Sequence, residues 1–222
     1  MKRLIIYGLG PFAEQMHFYF THDSPYRVVA FTADAPYLRQ TTFCDLPAVP
    51  FEAVTEEYPP DSVEMFVAIG YRRMRDRALL FARAKARGYR LASYINTHVL
   101  RFADLQMGEN NVALGNVQFE PFVRVGNNNA FMSGALVAHN ASVGDGNFFA
   151  ARCLVGGQCV VEDGCFLGSG SVLIDGLRIR RETHIVAGST VFRDTKEFRK
   201  YVGNPAREIG QHEEYGIVIE RD

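Results

Sequence analysis

A six-residue repeat runs without interruption from Met107 to Val191 and constrains the fold of this chain more than any other feature. Every sixth residue in this stretch is apolar, at fifteen consecutive positions. An α-helix needs apolar residues about 3.6 apart and a strand alternates every two residues, so neither explains a period of six. A fixed period of this kind indicates a solenoid, and six residues is the repeat of a parallel β-helix.

Two further columns of the repeat describe how each coil bends. The position four residues after each apolar residue is mostly small, and strand alternation places it on the same inner side as the next apolar residue. The position before it is Gly or Asn in ten of fourteen hexads, from Asn110 to Gly188. Because Gly and Asn tolerate positive φ at the lowest cost, we expect a left-handed-region turn in each hexad. Three short faces joined by such turns make a coil of about 18 residues.

The first hundred residues have the alternating pattern of a small α/β sheet. Apolar segments predict strands at 3–7, 26–34, 63–70 and 89–95, and the segments between them predict helices at 12–20 and 72–88. We therefore expect a small Rossmann-like parallel α/β domain at 1–98, an all-β parallel β-helix domain at 99–210, and a C-terminal tail at 211–222.

A glycine-rich turn lies between the first predicted strand and the first predicted helix. Gly8, Gly10 and Ala13 fit the G-x-G-x-x-A pattern that places a phosphate at a helix N-terminus. Asp34 ends the second strand, near the position at which an acidic residue contacts a ribose or a base. The same glycines also occur in turns that bind no ligand. A complete NAD-dependent dehydrogenase is disfavoured, because fewer than 100 residues precede the β-helix and leave no room for a second mononucleotide-binding half.

Charge and composition disfavour several other classes of function. The net charge of −1 gives no electrostatic footprint for nucleic acid or for an anionic membrane surface. The chain has no apolar stretch of membrane-spanning length, and its first ten residues are typical of a strand rather than a signal peptide. We therefore expect a cytoplasmic protein without membrane insertion. Three of the four cysteines fall in the small column, which favours buried thiols over a metal site.

The repeat resembles the left-handed β-helix of the hexapeptide acyltransferase family. The hexads VGDGNF at 143–148, VEDGCF at 161–166 and LGSGSV at 167–172 carry the likeness. A short α/β domain followed by such a β-helix resembles, across nearly the whole chain, the sialic acid O-acetyltransferase and nucleotide-aminosugar N-acetyltransferase group of bacterial sugar acyltransferases. The resemblance implies that the N-terminal domain holds a sugar nucleotide. The residues implied are Gly8, Gly10, Pro11 and Phe12 for the phosphates, Asp34 as the acidic strand end, and Gly70 and Tyr71 for the base.

The same resemblance implies a histidine general base in the β-helix. His139 occupies the position of the catalytic base, and acyl transfer needs such a group to take the proton of the acceptor. An acidic residue often follows this histidine in related sequences, whereas this chain has Asn140, which either assists His139 or serves only as a corner residue. The implied coenzyme A contacts are Gly157, Ser169, Ala187 and Pro205. We interpret His184, the other histidine of the β-helix, as a structural or surface residue.

These implications lead to one main hypothesis and two alternatives. The main hypothesis is an N-acetyltransferase that takes acetyl-CoA as co-substrate, holds no permanently bound cofactor, and acylates the amino group of a nucleotide-linked amino-dideoxy sugar. The family assembles as homotrimers with coenzyme A between neighbouring subunits, and we expect the same assembly here. The alternatives are O-acetylation of a free sugar such as sialic acid, and a non-catalytic β-helix scaffold.

Overall fold

The computed structural model describes residues 1–219 and divides into two units. The first unit comprises Met1–Gly70 and Leu79–Tyr94, and the second comprises Tyr71–Ala78 and the chain from Ile95 onward. The division thus falls after residue 94, where the sequence placed it after residue 98, and residues 71–78 belong with the β-helix. Of the expected tail at 211–222, the last three residues lie outside the described residues.

The first unit contains a five-stranded sheet that is parallel except for one short strand. Its strands are β1 (Lys2–Tyr7), β2 (Tyr26–Ala33), β3 (Thr42–Phe43), β4 (Leu46–Pro50) and β5 (Glu64–Val67). They are ordered β3-β4-β2-β1-β5, and only the pairing of β3 with β4 is antiparallel.

Two features of this sheet differ from the sequence prediction. The hairpin of β3 and β4 was not predicted; it turns through Cys44 and Asp45, which both have positive φ, as a two-residue hairpin loop requires. The strand predicted at 89–95 is reduced to a single bridge between Leu91 and Met65 and to the short β6 (Tyr94–Ile95) at its end.

The helices are α1 (Pro11–His22), α2 (Val54–Glu57) and α3 (Met74–Ala86), and a 3₁₀ turn spans Ala35–Tyr37. Helix α1 buries Ala13, Met16 and Phe20, whose spacing places them on one face. The division between the units falls within α3, at Ala78.

The second unit is a parallel β-helix whose strands are only two residues long. These strands are β7 (Gln106–Met107), β8 (Val112–Ala113), β9 (Gln118–Phe119), β10 (Arg124–Val125), β11 (Ala130–Phe131), β12 (Leu136–Val137), β13 (Ser142–Val143), β14 (Phe148–Phe149), β15 (Leu154–Val155), β16 (Val160–Val161), β17 (Phe166–Leu167), β18 (Val172–Leu173), β19 (Arg178–Ile179), β20 (His184–Ile185) and β21 (Thr190–Val191). An antiparallel hairpin, β22 (Arg199–Gly203) and β23 (Ala206–Gln211), follows them.

The short strands form three parallel sheets, because each strand pairs with the strand one coil further on. Val125 pairs with Val143, for example, and Val143 pairs with Val161, so one coil contains 18 residues. Sheet 1 contains β7, β10, β13, β16 and β19, and sheet 3 contains β9, β12, β15, β18 and β21. Sheet 2 contains β8, β11, β14, β17 and β20, with β6 at one edge and the hairpin at the other. This arrangement fits a left-handed β-helix.

The three sequence columns have the structural roles that were predicted for them. The fifteen apolar residues are the inward-facing second residues of β7 to β21, and all are buried except the half-buried Met107. Every residue of the small column is buried. All fourteen residues of the Gly/Asn column have positive φ, between 48° and 76°.

Three stacks of corners connect the three sheets. The first corner contains residues 108–111 and their equivalents every 18 residues, the second corner contains 114–117, and the third corner contains 120–123. Inside the first corner, the Asn111 side-chain oxygen accepts from the backbone N–H of Asn129 at 2.8 Å, and Asn129 accepts likewise from Asn147 at 2.9 Å. The buried amides therefore satisfy backbone groups of the next coil.

Residues 71–78 belong to the second unit because they pack on the outer face of sheet 2. The ring of Tyr71 lies 4.8 Å from that of Phe148 and 5.6 Å from that of Phe166, and the two phenylalanines stack at 5.5 Å. The buried Arg77 donates to the carbonyl of Asn128 at 2.9 Å. The sequence pattern of a helix does not reveal which body its first turn packs against, so the predicted boundary was misplaced here.

The chain beyond the hairpin holds this segment in place, and we call residues 212–219 the C-terminal strap. The N–H of Met74 donates to Ile217 at 3.1 Å, and the N–H of Ile219 donates to Arg72 at 2.9 Å. Arg75 contacts Glu182 at 2.9 Å and donates to two strap carbonyls, those of Glu213 and Glu214. Within residues 1–219, no helix has the length and apolar character needed to cross a membrane.

Candidate active site

His139 lies at the third corner, between β12 and β13, with its side chain exposed. The second position of each corner faces away from the core, so no packing requirement of the coil calls for an imidazole there. The backbone N–H of His139 donates to the Glu120 carboxylate at 2.8 Å, which ties this corner to the preceding coil. The structure therefore presents a histidine whose ring is available to a ligand and whose backbone is fixed.

Asn140 is a corner residue whose side chain also contacts His139. Its φ of 59° makes it a corner residue like every other member of its column. Its side-chain Oδ1 also lies 3.2 Å from Nδ1 of His139. An amide oxygen only accepts, so this contact favours the tautomer that carries its proton on Nδ1 and its lone pair on Nε2. That is the tautomer in which Nε2 can take a proton.

Gly157, one coil after His139, lies directly against the imidazole. A Cβ atom added to Gly157 would come within 2.7 Å of Nε2 and 2.8 Å of Cε1, closer than side-chain contacts allow. The N–H of Gly157 donates to Asp175 Oδ1 at 2.8 Å. The amide that we expect to contact the coenzyme therefore donates to Asp175 in this structure. Because Gly157 has no side chain, the imidazole of His139 can lie against it.

The other expected coenzyme residues share the second corner, away from His139. Ser169 and Ala187 occupy equivalent positions one coil apart, and the N–H of Gly188 donates to the Ser169 carbonyl at 2.9 Å. Pro205 lies in the turn of the hairpin, whose Gly203 N–H donates to Ser189 Oγ at 3.0 Å. Thus Ser169, Ala187 and Pro205 are brought together, and sheet 3 separates them from His139 and Gly157 within one chain.

In the first unit, the expected phosphate loop joins β1 to α1. Gly8 has φ +140°, and a Cβ there would lie 2.7 Å from the carbonyl oxygen of Ala68, so only glycine fits. Gly10 is the N-cap of α1, provides no side-chain cap, and is exposed, with open space where a side chain would be. Pro11 and Phe12 form the start of the helix. Pro11 has no N–H, and the N–H groups of Ala13 and Glu14 donate to the Gly10 carbonyl at 2.9 and 3.1 Å, so a ligand at the start of the helix would meet the N–H of Phe12.

Asp34, immediately after β2, is held by two side chains that the sequence did not identify. Tyr7 donates its hydroxyl to Oδ1 at 2.5 Å, and Arg83 contacts Oδ2 at 2.6 Å. The ring of Tyr7 stacks on Phe51 at 4.2 Å, and the guanidinium of Arg83 lies 5.0 Å from the same ring. Burial alone raises the pKa of the Asp34 carboxyl, but the bonds from Arg83 and Tyr7 outweigh burial, and the net effect lowers the pKa. Asp34 is therefore an ionised acceptor.

The expected base-binding residues Gly70 and Tyr71 fall in different units. Gly70 follows β5 in the first unit, on the carboxyl edge of the sheet where Gly8 and Asp34 also lie. Tyr71 is half-buried against the phenylalanines of sheet 2, as described above.

Four residues around these sites were not found from the sequence. Glu120 and Asp175 bond to backbone groups of the third corner, and Tyr7 and Arg83 hold Asp34. No local motif marks them. The period of 18 does place Asp175 one coil after Gly157, so a search along the corner could have found it.

The remaining titratable groups of the β-helix have structural roles. His184 packs edge-on against Phe166 at 5.2 Å, and burial lowers its pKa to about 4, with Lys200 and His212 adding to the effect. Cys153, Cys159 and Cys165 are buried free thiols. Among the described residues, no cluster of three or more His, Cys, Asp or Glu side chains could hold a metal ion.

The fold is that of bacterial acetyltransferases of known structure. The acetyltransferase domain of PglB from Neisseria gonorrhoeae FA1090, solved in complex with acetyl coenzyme A, has a TM-score of 0.81 at 16% identity, over 94% of this chain and 99% of that chain. PerB from Caulobacter crescentus, solved with CoA and GDP-perosamine, has a TM-score of 0.71 at 22% identity, over 95% and 98% of the two chains. WeeI from Acinetobacter baumannii AYE has a TM-score of 0.61 at 18% identity, over 94% and 100%. No protein-family model and no curated protein matches the sequence.

Proposed function

We propose that this protein is an acetyl-CoA-dependent N-acetyltransferase acting on the amino group of a nucleotide-linked amino-dideoxy sugar. The observation that carries the proposal is the exposed imidazole of His139, whose Nδ1 contacts Asn140 and whose Nε2 lies against Gly157, a residue with no side chain to displace it. The fold shared with the PglB and PerB structures supports it, since those proteins were solved with acetyl-CoA or with CoA and a nucleotide sugar.

The chemistry is direct transfer with His139 as general base. Nε2 takes a proton from the sugar amine as its nitrogen attacks the thioester carbonyl, and the tetrahedral intermediate collapses to amide and coenzyme A thiolate. The imidazolium then returns the proton to the thiolate. Asn140 supports this role because its Oδ1, 3.2 Å from Nδ1, favours the tautomer that leaves the lone pair on Nε2. It stabilises the imidazolium less than a carboxylate would.

The position of the expected coenzyme residues supports a homotrimer. Ser169 and Ala187 lie at the second corner and Pro205 lies in the hairpin turn that bonds to it through Ser189, whereas His139 lies at the third corner. We propose that coenzyme A lies between neighbouring subunits, with the second corner of one facing the third corner of the other.

We propose that the first unit is a Rossmann-like domain that binds the nucleotide. Strand order places β2 and β4 on one side of β1 and β5 on the other, and ligands of α/β sheets bind where the order reverses. Gly8 lies at this point, against Ala68 after β5. The start of α1, at Gly10, Pro11 and Phe12, suits a phosphate. Asp34, an ionised acceptor, suits a donor on the base or ribose.

The proposal is tested by thiol release from acetyl-CoA in a screen of UDP-, GDP- and dTDP-linked amino sugars. Wild type is expected to acylate at least one of them, and His139→Ala is expected to lower turnover about 10²- to 10⁴-fold without loss of folding. His98→Ala is the control, because His98 is another exposed histidine of the same unit and is expected to leave turnover unchanged. Equal turnover of wild type and His139→Ala would remove His139 from the mechanism.

Thermal-shift measurements with UDP, GDP and dTDP test the nucleotide site separately. One of them is expected to stabilise wild type, and Asp34→Asn is expected to weaken that effect. If no nucleotide stabilises the protein, O-acetylation of a free sugar is favoured instead. If calorimetry detects no binding of acetyl-CoA, the protein is a scaffold.

A further inference from the structure

Phe122 stands out in the row of residues that occupy the third position of the third corner. The row runs Phe122, Asn140, Gln158 and Gly176, one coil apart, and all four have positive φ. Phe122 has φ 66° and 64% of its surface exposed. It is therefore a bulky aromatic residue in a backbone conformation that Gly or Asn fills in ten of the fourteen hexads.

Neither the backbone nor the core explains this side chain. The left-handed region is unfavourable for a bulky L-residue, and exposure of an aromatic ring adds to the cost. The main-chain role of the residue is independent of its side chain, because its N–H donates to the Asp104 carboxylate. Strain that the fold does not require is characteristic of residues retained for function.

Phe122 lies one coil before the residue that contacts the His139 imidazole. The N–H of Asn140 donates to the carbonyl of Pro121 at 3.0 Å, which sets Phe122 and Asn140 side by side on adjacent coils. Paired strands lie about 4.8 Å apart, so the ring is within reach of a ligand at His139. All the expected coenzyme residues, from Gly157 to Pro205, lie in later coils. We therefore expect the acceptor sugar, rather than the coenzyme, to bind on the side of His139 where Phe122 lies.

We propose that Phe122 is a specificity-determining residue that packs against the apolar face and deoxy carbon of the acceptor sugar. This inference rests on the proposed function and adds the part of the site that selects the sugar. An aromatic ring offers the sugar C–H groups a flat apolar surface, and it leaves a hydroxyl at the deoxy position without a hydrogen-bond partner. The site thus favours a 6-deoxy amino sugar over the same sugar carrying a 6-hydroxyl group.

The test is steady-state kinetics of wild type, Phe122→Asn and Phe122→Tyr with the nucleotide amino sugar that wild type acylates. Phe122→Asn is expected to raise the KM for the acceptor about 10-fold or more and to leave the KM for acetyl-CoA unchanged. Its melting temperature is expected to equal or exceed that of wild type, because Asn suits the corner conformation. Phe122→Tyr keeps the ring and is expected to keep the acceptor KM near that of wild type.

Arg152→Asn is the matched control. Arg152 also has positive φ, at 59°, but it lies at the second corner. Its replacement is expected to relieve the same backbone strain, so its melting temperature measures what strain relief contributes when the Phe122 ring is kept.

Several outcomes would overturn the proposal. An unchanged acceptor KM in Phe122→Asn would do so, and so would a rise confined to the KM for acetyl-CoA. Loss of the assembled oligomer in Phe122→Asn, measured by sedimentation, would make the ring an assembly contact instead. If wild type acylates no amino sugar, the proposed function fails and this inference fails with it. If wild type is active and Phe122→Asn has the same acceptor KM, this inference alone is overturned.

Discussion

The imidazole of His139 rests against the backbone of Gly157 at a distance that no Cβ atom can enter. The two residues belong to adjacent coils, and their contact exists because the β-helix places equivalent corner positions directly over one another. A glycine is therefore required beneath the histidine for a steric reason, and the contact yields the first prediction.

Gly157→Ala is expected to displace the His139 ring and to lower turnover about 10- to 100-fold, because misplacement of a catalytic group by about 1 Å has effects of that size. Circular dichroism is expected to show an unchanged fold. Gly115→Ala is the control: Gly115 has the equivalent position at the second corner, and the nearest atom to its added Cβ is 3.6 Å away. A turnover loss that Gly115→Ala shares would contradict the steric explanation.

Asn140→Gly separates the two roles of Asn140. Glycine keeps the positive φ of the corner but removes the oxygen that contacts Nδ1 of His139. Loss of one such hydrogen bond is expected to lower turnover about 3- to 10-fold. Asn116→Gly makes the same change at the second corner, where φ is 61°, and is expected to have no effect on turnover. If both variants behave like wild type, Asn140 is only a corner residue.

His184 makes folding stability depend on pH. Its pKa is lowered by burial to about 4, from 6.5 in the unfolded chain, so the unfolded state binds more protons between these values. The stability that neutral His184 contributes is complete above pH 6.5 and is lost as the pH falls toward 4.

His184→Phe removes this titration and extends the ring stack of Phe148 and Phe166. Relative to wild type, the variant is expected to gain at most about 2 kcal/mol in unfolding free energy between pH 7.5 and pH 5. Urea denaturation at the two pH values measures the difference. Parallel pH profiles for the two proteins would show that the pKa of His184 is the same in the folded and the unfolded chain.

Arg75→Met is expected to weaken the anchoring of the C-terminal strap. The variant loses the contact with Glu182 and the bonds to the Glu213 and Glu214 carbonyls. Because Arg75 is partly exposed, solvent screening limits the expected loss to about 1–2 kcal/mol of unfolding free energy.

Arg73→Met is the matched control for the strap. Arg73 forms an exposed pair with Asp76, three residues away, and its removal is expected to change stability by less than about 0.5 kcal/mol. Chemical denaturation of both variants checks the comparison. Equal losses would mean that Arg75 acts only as a surface charge.

The β-helix could be predicted from the sequence because its requirements are local. Each hexad needs one inward apolar residue, one small residue and one residue with positive φ at the corner. Residues such as Asn110 and Gly134 indicate the corner by residue type alone. His139 was singled out by its match to the position of the catalytic base in the family that the chain resembles, and no column of the coil requires a histidine there. The three columns of the repeat account for the core and the corners, and His139 is a residue that they do not explain.

Other parts of the molecule depend on contacts between residues distant in sequence, and the sequence did not reveal them. Tyr7 and Arg83, which lie 76 positions apart in the sequence (83 − 7), both bond to Asp34. Residues 71–78 were assigned to the wrong unit because the periodicity of a helix does not identify its packing partner. The hairpin of β3 and β4 was missed because its Cys44–Asp45 turn lacks the glycine that usually marks one.

The 18-residue coil sets the spacing of equivalent residues along the β-helix axis. Insertion of one whole coil after His139 would keep every corner in line and move Ser169, Ala187 and Pro205 further away by about 4.8 Å. Insertion of six residues would keep the apolar core intact but advance every later residue by one corner, which would carry Ser169 out of line with its own stack. The distance between His139 and the expected coenzyme residues can therefore change only by whole coils if the corners are to stay in line, although the apolar pattern alone would allow steps of six residues.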